Sequence, residues 1–315
     1  MAVSALSVPR PVAAPALPLL ERRRRLAGAA FLAPAALYMI VFFGYPMVHN
    51  LVMGSQDYSV SSFYTGDAPF VGFDNYAAIF SDPAFWPTLG RTAMFTVASI
   101  VFQFVIGLAL AVFFVRRFPL SGVIRALLLL PWLLPLVVSA SVWRWIFDQD
   151  NGILNIALRG AGVIDEPIGW LNTVAWSLVS VIITNIWIGI PFNLVLLHGG
   201  LQAIPGSLYE AAALDGAGPW RQFTHISWPL LKPVTQVTLV LGLVYTLKVF
   251  DVIAVMTGGG PASSSQTLTV WSYQLSFNEF LFGQGAAVGN LLIVIALIAG
   301  LAYVRSAQQS LRSAS

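Results

Sequence analysis

The sequence predicts an all-α membrane protein of six transmembrane helices with both termini on the cytoplasmic side. Three observations carry this reading. Of the 315 residues, 57% are hydrophobic and only 9% are charged. An ordinary soluble chain carries about 25% charged residues, so much of this surface faces something other than water. Six apolar stretches each approach or exceed the roughly 20 helical residues that a hydrocarbon core demands. The basic residues also gather on alternate connections, as they do when cytoplasmic loops carry the Lys/Arg excess.

Taken in order, the spans fall at about 27–53, 90–115, 123–146, 171–199, 234–256 and 284–304. Residues 1–25 read as a disordered basic tail, 26–305 as the membrane domain and 306–315 as a second tail. Arg22 to Arg25 before an apolar run resemble a secretory signal, but the run is longer than the roughly 7–15 residues of such a region and no small-residue cleavage site ends it. An uncleaved first helix is expected. The second span is interrupted only by Gln103. The third carries Pro131 and Pro135, which membrane helices tolerate when neighbours re-satisfy the freed carbonyls. With the N-terminus inside, the cytoplasmic segments hold Arg10, Arg22 to Arg25, Arg116, Arg117, Arg125, Arg221, Lys232, Arg305 and Arg312, twelve of the sixteen basic residues. The opposite loops hold Asp57, Asp67, Asp74, Asp82, Asp148, Asp150, Asp165, Glu166 and Glu279. Trp143, Trp145, Trp170 and Trp176 lie at the outer ends of spans three and four, where indole rings favour the interface.

Composition excludes several functions. A net charge of +3 is too small to suggest nucleic acid, and the absence of cysteine removes disulfides, thiol catalysis and thiolate metal sites. The chain has no Gly-x-Ser-x-Gly, no His-Glu-x-x-His and no Walker phosphate loop. Thr257-Gly258-Gly259-Gly260-Pro261 lacks the lysine of a nucleotide loop. The chain is therefore expected to be no enzyme. An ion-coupled secondary transporter is the alternative, although such proteins place acids deep in the membrane and only Asp251 comes near.

The connection between spans four and five, about 202–233, reads as two short cytoplasmic helices around a bend. Ser207 can cap the first, Asp215-Gly216 is a turn signal, and Pro219 suits the first turn of the second. Glu210-Ala211-Ala212, Gly216, Ile226 and Pro229 stand in the register of the coupling loop of ABC importer membrane subunits. The chain resembles that family, with Trp228 where the pattern has Leu. Phe70 to Tyr76, Leu130 to Pro135 and Asp251 to Pro261 are similar to its maltose-type, carbohydrate-importing branch, of the larger-subunit kind.

The resemblance implies the permease of a binding-protein-dependent importer in the bacterial cytoplasmic membrane. It implies a heterodimer with a second permease subunit, two copies of a cytoplasmic ATP-binding subunit and an extracytoplasmic sugar-binding protein. ATP and Mg²⁺ would sit on the partner ATPase, with no cofactor on this chain. Glu210, Ala211, Ala212, Asp215 and Gly216 would couple to that ATPase.

Asn185, Gly189 and Phe192 share one helix face at i, i+4 and i+7. Gly242, Tyr245, Thr246 and Val249 do the same at i, i+3, i+4 and i+7. Amides beside aromatic rings suit sugars, and polar groups in hydrocarbon often mark a pathway. A packing seam with helix-to-helix hydrogen bonds reads the same residues differently. The resemblance assigns Asn185, Ile188, Gly189, Phe192, Gly242, Tyr245, Thr246 and Val249 to sugar contact near mid-membrane. Lys248 and Asp251, three residues apart, are expected to pair on one helix or to leave Lys248 for an anionic substrate.

Overall fold

A computed structural model describes residues 18–116 and 118–312. Among these the architecture is helical, with no β-strand and a single isolated bridge between Gln56 and Phe70. Residues 1–17, Arg117 and 313–315, which fall in the expected tails and one basic loop, lie outside the described residues. The chain divides after Asn50 into two compact units.

The first unit carries helix α1 (Pro18–Met39), a π turn (Ile40–Gly44) and the start of α2 (Tyr45–Met53). The π turn closes with the Tyr45 N–H on the Ile40 carbonyl, directly before Pro46. The same device recurs at Phe223–Ser227, where the Trp228 N–H reaches the Phe223 carbonyl directly before Pro229. A proline in a regular helix clashes with the carbonyl four residues back, and one widened turn relieves the crowding.

The second unit continues with α3 (Val60–Thr65), α4 (Asp74–Ser81), α5 (Phe85–Val115), α6 (Ser121–Leu128), α7 (Leu130–Leu133), α8 (Leu136–Ile146) and α9 (Ile153–Gly160). Then come α10 (Ser177–Gln202), α11 (Gly206–Leu214), α12 (Pro219–Gln222), α13 (Trp228–Leu247), α14 (Asp251–Met256), α15 (Leu268–Tyr273) and α16 (Phe282–Arg312). Five helices are long and apolar enough to cross a membrane: Leu26–Met53, Phe85–Val115, Ser177–Gln202, Pro219–Leu247 and Phe282–Leu301. A sixth crossing results if the bent pair Ser121–Leu133 and Leu136–Ile146 is one span.

Three spans differ from the sequence reading. The third is broken, with its halves meeting at 100°. Pro135 forces Leu134 out of the helical region, to ψ 144°, because its ring crowds the preceding residue. The fourth begins at Ser177 rather than 171, since the Thr173 carbonyl takes the Trp176 and Ser177 N–H groups in a turn. The fifth is shifted, starting at Pro219 and ending at Leu247, with 251–256 forming the separate α14. No Gly or Pro explains that break. The Val249 N–H turns back to the Thr246 carbonyl at 3.1 Å, and the Thr269 hydroxyl donates to the Val249 carbonyl at 2.9 Å. Trp170, expected at an interface, is buried, and its indole N–H donates to Asn155 Oδ1 at 2.9 Å.

The centre of the second unit is the α5–α10 seam. The buried residues of α5 include a stripe of Thr88, Thr92, Thr96, Ser99, Gln103, Gly107 and Ala111, small or polar at nearly every fourth position, with Phe85, Phe95 and Phe114 buried beside it. Val97, Val101, Phe102, Val105 and Phe113 face outward. In a bilayer the tails are as apolar as leucine, so helices associate by close packing and hydrogen bonds instead of by hiding apolar surface. Gly107 meets Asn193 so closely that an added Cβ would lie 2.5 Å from Asn193 Cβ and 3.2 Å from the Leu194 nitrogen.

Gly107→Ala is expected to lower the apparent Tm of the detergent-purified protein by several degrees, at the roughly 1–3 kcal/mol typical of overpacking. Gly199→Ala, where nothing lies within 4 Å of the new methyl, should leave Tm unchanged or raise it. Equal Tm values for the two variants would show that the seam is loose.

Candidate functional site

The breaks in the helices converge on one cavity of about 520 Å³. Its wall on α10 is Asn185, Ile188, Gly189 and Phe192. Its wall on α13 and the residues just beyond is Gly242, Tyr245, Thr246, Lys248, Val249 and Asp251. The structure thus brings together along one cavity all eight residues expected to meet sugar. The 100° bend adds Trp132, Leu134 and Leu136, and α5 adds Gln103.

Three rings form an aromatic wall. Phe192 stands 6.1 Å from Trp132 and 5.6 Å from Tyr245 between ring centroids, the latter edge to face. Lys248 Nζ lies 4.9 Å from the Tyr245 centroid, within the range of cation–π attraction. The polar groups are sparse. Asn185 is buried, and its Nδ2 has no hydrogen-bond partner. Gln103, also buried, donates from Nε2 to the Asn185 carbonyl at 2.8 Å. Asn193 does not line the cavity; its Nδ2 donates to the Gly189 carbonyl at 3.0 Å.

The expected pairing of Lys248 with Asp251 does not form. Lys248 caps the C-terminal end of α13 and Asp251 opens α14, so the two are not on one helix. Each charge instead sits at the helix end whose dipole favours it. Among the described residues no group of three or more His, Asp or Glu side chains could hold a metal ion.

Sequence reasoning missed Trp132, Leu134, Leu136 and Gln103 as lining residues. Their signals were present: the two prolines flanking Trp132, and one amide in an otherwise apolar span.

The second candidate region is the α11 loop. Glu210, Ala211, Asp215 and Gly216 are exposed and Ala212 is half-buried. Gly216 has φ +75°. Its N–H reaches the Ala213 carbonyl at 3.1 Å, and the Ala217 N–H reaches the Ala212 carbonyl at 2.9 Å. This is a Schellman cap, which demands a left-handed residue and favours glycine. Tyr209 and Ser227 share a hydrogen bond of 2.9 Å that ties α11 to the π turn. A shallow groove of about 270 Å³ runs between the two helices past Ala212, Asp215, Arg221 and His225.

The Thr257–Pro261 run, also singled out by the sequence, is a turn. Gly258 and Gly259 have φ of +63° and +90°. Thr257 Oγ1 and Ser265 Oγ lie 2.8 Å apart across it.

Residues 103–310 match the family described as binding-protein-dependent transport system inner membrane component. A sulfoquinovosyl glycerol transport system permease of Agrobacterium fabrum is 34% identical over 281 residues, covering 89% of this chain and 90% of that protein. The trehalose/maltose permease MalF of Thermococcus litoralis is 34% identical over 288 residues, covering 91% and 95%. The lactose permease LacF of Rhizobium radiobacter is 33% identical over 292 residues, covering 91% and 95%. Among solved structures, a bacterial ABC transporter that imports the acidic polysaccharide alginate shares the fold, with a TM-score of 0.79 at 22% identity over 92% of this chain and 98% of that one.

Lys248→Met and Asp251→Asn are expected to act independently. A double-mutant cycle on apparent stability should give a coupling below about 0.5 kcal/mol. A coupling above about 1 kcal/mol would restore the ion pair.

Proposed function

The chain belongs to the family of binding-protein-dependent transport system inner membrane components, and from that membership we propose that it is the permease subunit of an ABC importer that moves a sugar or sugar-like solute. The observation that carries the sugar is the cavity. Three aromatic rings, two amides and a threonine hydroxyl line it, and ring faces for C–H surfaces with sparse, directed polar groups are what a saccharide needs. The relatives named for trehalose and maltose, lactose and sulfoquinovosyl glycerol favour the same class. The family assignment lends no support to ion coupling.

In this reading Asn185, Ile188, Gly189, Phe192, Gly242, Tyr245, Thr246 and Val249 hold the solute. The chain lies in the bacterial cytoplasmic membrane with both termini inside, as the basic residues argue. A second permease subunit completes a heterodimer, and two ATP-binding subunits dock at the α11 loop. The loop then transmits closure of the ATPases, which carry ATP and Mg²⁺. Glu210, Ala211, Ala212 and Asp215 meet the ATPase. Gly216 supports that contact through its conformation, because it lets the chain turn at the end of α11. The extracytoplasmic binding protein meets the segment 54–89, where Phe63, Tyr64 and Phe70 stand exposed. The supporting features are the exposed α11 residues, the Schellman cap and this aromatic loop.

The first test is purification from native membranes in mild detergent, followed by mass spectrometry. A second permease subunit together with a Walker-type ATPase is the expected result; the chain alone or self-associated would sink the importer reading. Gly216→Val strains the cap and should abolish ATP-driven uptake while the protein still inserts; normal uptake would remove the loop from the coupling. Deletion of 61–68 should abolish docking of the binding protein while uptake components still assemble, and retained docking would refute that role.

A further inference from the structure

We propose that Gln103 is a ligand-binding residue of the cavity, one that accepts a hydroxyl of the solute through Oε1 and at the same time positions Asn185. The hydroxyl rests on the sugar reading above; the positioning role does not.

Gln103 comes from α5, away from the two helices whose faces the sequence marks as the site. Three observations define its role. Its Nε2 donates to the Asn185 main-chain carbonyl at 2.8 Å. That bond settles which way the amide is turned, because an amide oxygen facing a carbonyl would repel it. Its Oε1 is therefore the end left for a donor. Next, the amide is seated in a notch. A Cβ on Gly189 would lie 2.3 Å from Gln103 Cδ, 2.4 Å from Nε2 and 2.5 Å from Oε1. Gly189 is thus the gap that admits the Gln103 amide beside α10, which gives this glycine a purpose apart from touching solute.

Finally, Asn185, which lines the same cavity, carries a buried Nδ2 with no hydrogen-bond partner. Buried polar groups are ordinarily satisfied, so a donor of this kind in a binding cavity awaits an acceptor. Gln103 offers an acceptor and Asn185 a donor, both lining one cavity and joined through the Asn185 carbonyl. Adjacent hydroxyls of a sugar ring, one donating and one accepting, complement such a set. The main chain of Asn185 is held by Gln103 and its side chain is left for the solute.

The experiment uses the complete importer, with its partner permease, ATPases and binding protein, in proteoliposomes. Maltose, trehalose and lactose are the probes, and the one that the wild type takes up is followed with its monodeoxy analogues. Gln103→Met removes both hydrogen bonds at similar volume and should lower uptake at least tenfold. One analogue, itself at least tenfold poorer than the parent sugar in the wild type, should be taken up by Gln103→Met no worse than the parent. Gln103→Glu keeps an acceptor and loses the donor, so it should lower uptake yet keep the wild-type ranking of analogues. The same drop for every analogue in both proteins, or wild-type uptake by Gln103→Met, overturns the contact.

The seat is read without sugar. Gly189→Ala should lower apparent Tm in the wild type and not in a Gln103→Ala background; equal effects in both backgrounds overturn the seat. If the wild type imports none of the three sugars while ATP is hydrolysed, the sugar reading fails and the hydroxyl contact with it, and the positioning role is then judged by the Tm cycle.

Discussion

The close approach of α5 and α10 holds the second unit together. The Gln103 amide lies over Gly189, and Gly107 lies against the Cβ and main chain of Asn193, so a glycine on each helix admits the other helix. Such contact is available only where a side chain is missing on one of the partners. It matters more here than in a water-soluble core because lipid offers apolar groups an equally good alternative. Close packing and hydrogen bonds between helices have no such competitor. The outward-facing Val and Phe residues of α5 follow from the same balance: its small and polar side chains are kept inside, while apolar ones stand on both faces.

The helix breaks build on that seam. The bend at Pro135 and the end of α13 at Leu247 both reach one region. Irregular backbone at membrane depth is tolerated only where protein or a water-filled cavity satisfies it. The break after Leu247 is satisfied by protein, through the Thr269 hydroxyl on the Val249 carbonyl. The bend at Leu134 opens on the cavity itself. A solute site and departures from regular helix coincide because freed backbone and an enclosed polar space need each other.

The α11 loop obeys a local rule instead. Its bend depends on a glycine that can take a positive φ and on the carbonyls of Ala212 and Ala213, all within six residues. That is why its organisation is legible in the residues themselves. The same is true of the candidate site in part. Positions at i, i+4 and i+7 of one helix share a face whatever the rest of the chain does, so the α10 and α13 faces were legible. Gln103 and Trp132 were not assigned to the cavity, because their presence there depends on helices distant in sequence.

Composition, apolar run length and the placement of basic residues were enough to read a helical membrane protein with several apolar spans; the described residues hold five such helices, or six if the bent pair is one span. These rest on transfer free energy and on periodicity, both properties of a local stretch of chain. Tertiary structure determined that the Val249 carbonyl beyond the end of α13 is taken by Thr269, that Trp170 is buried on Asn155, and that Gln103 and Trp132 reach the cavity. Each of these turns on a partner from another element of the fold. The break after Leu247 shows the reason most clearly: no Gly or Pro lies between 246 and 251, and the carbonyl of Val249 there is satisfied by a hydroxyl from residue 269, on another helix.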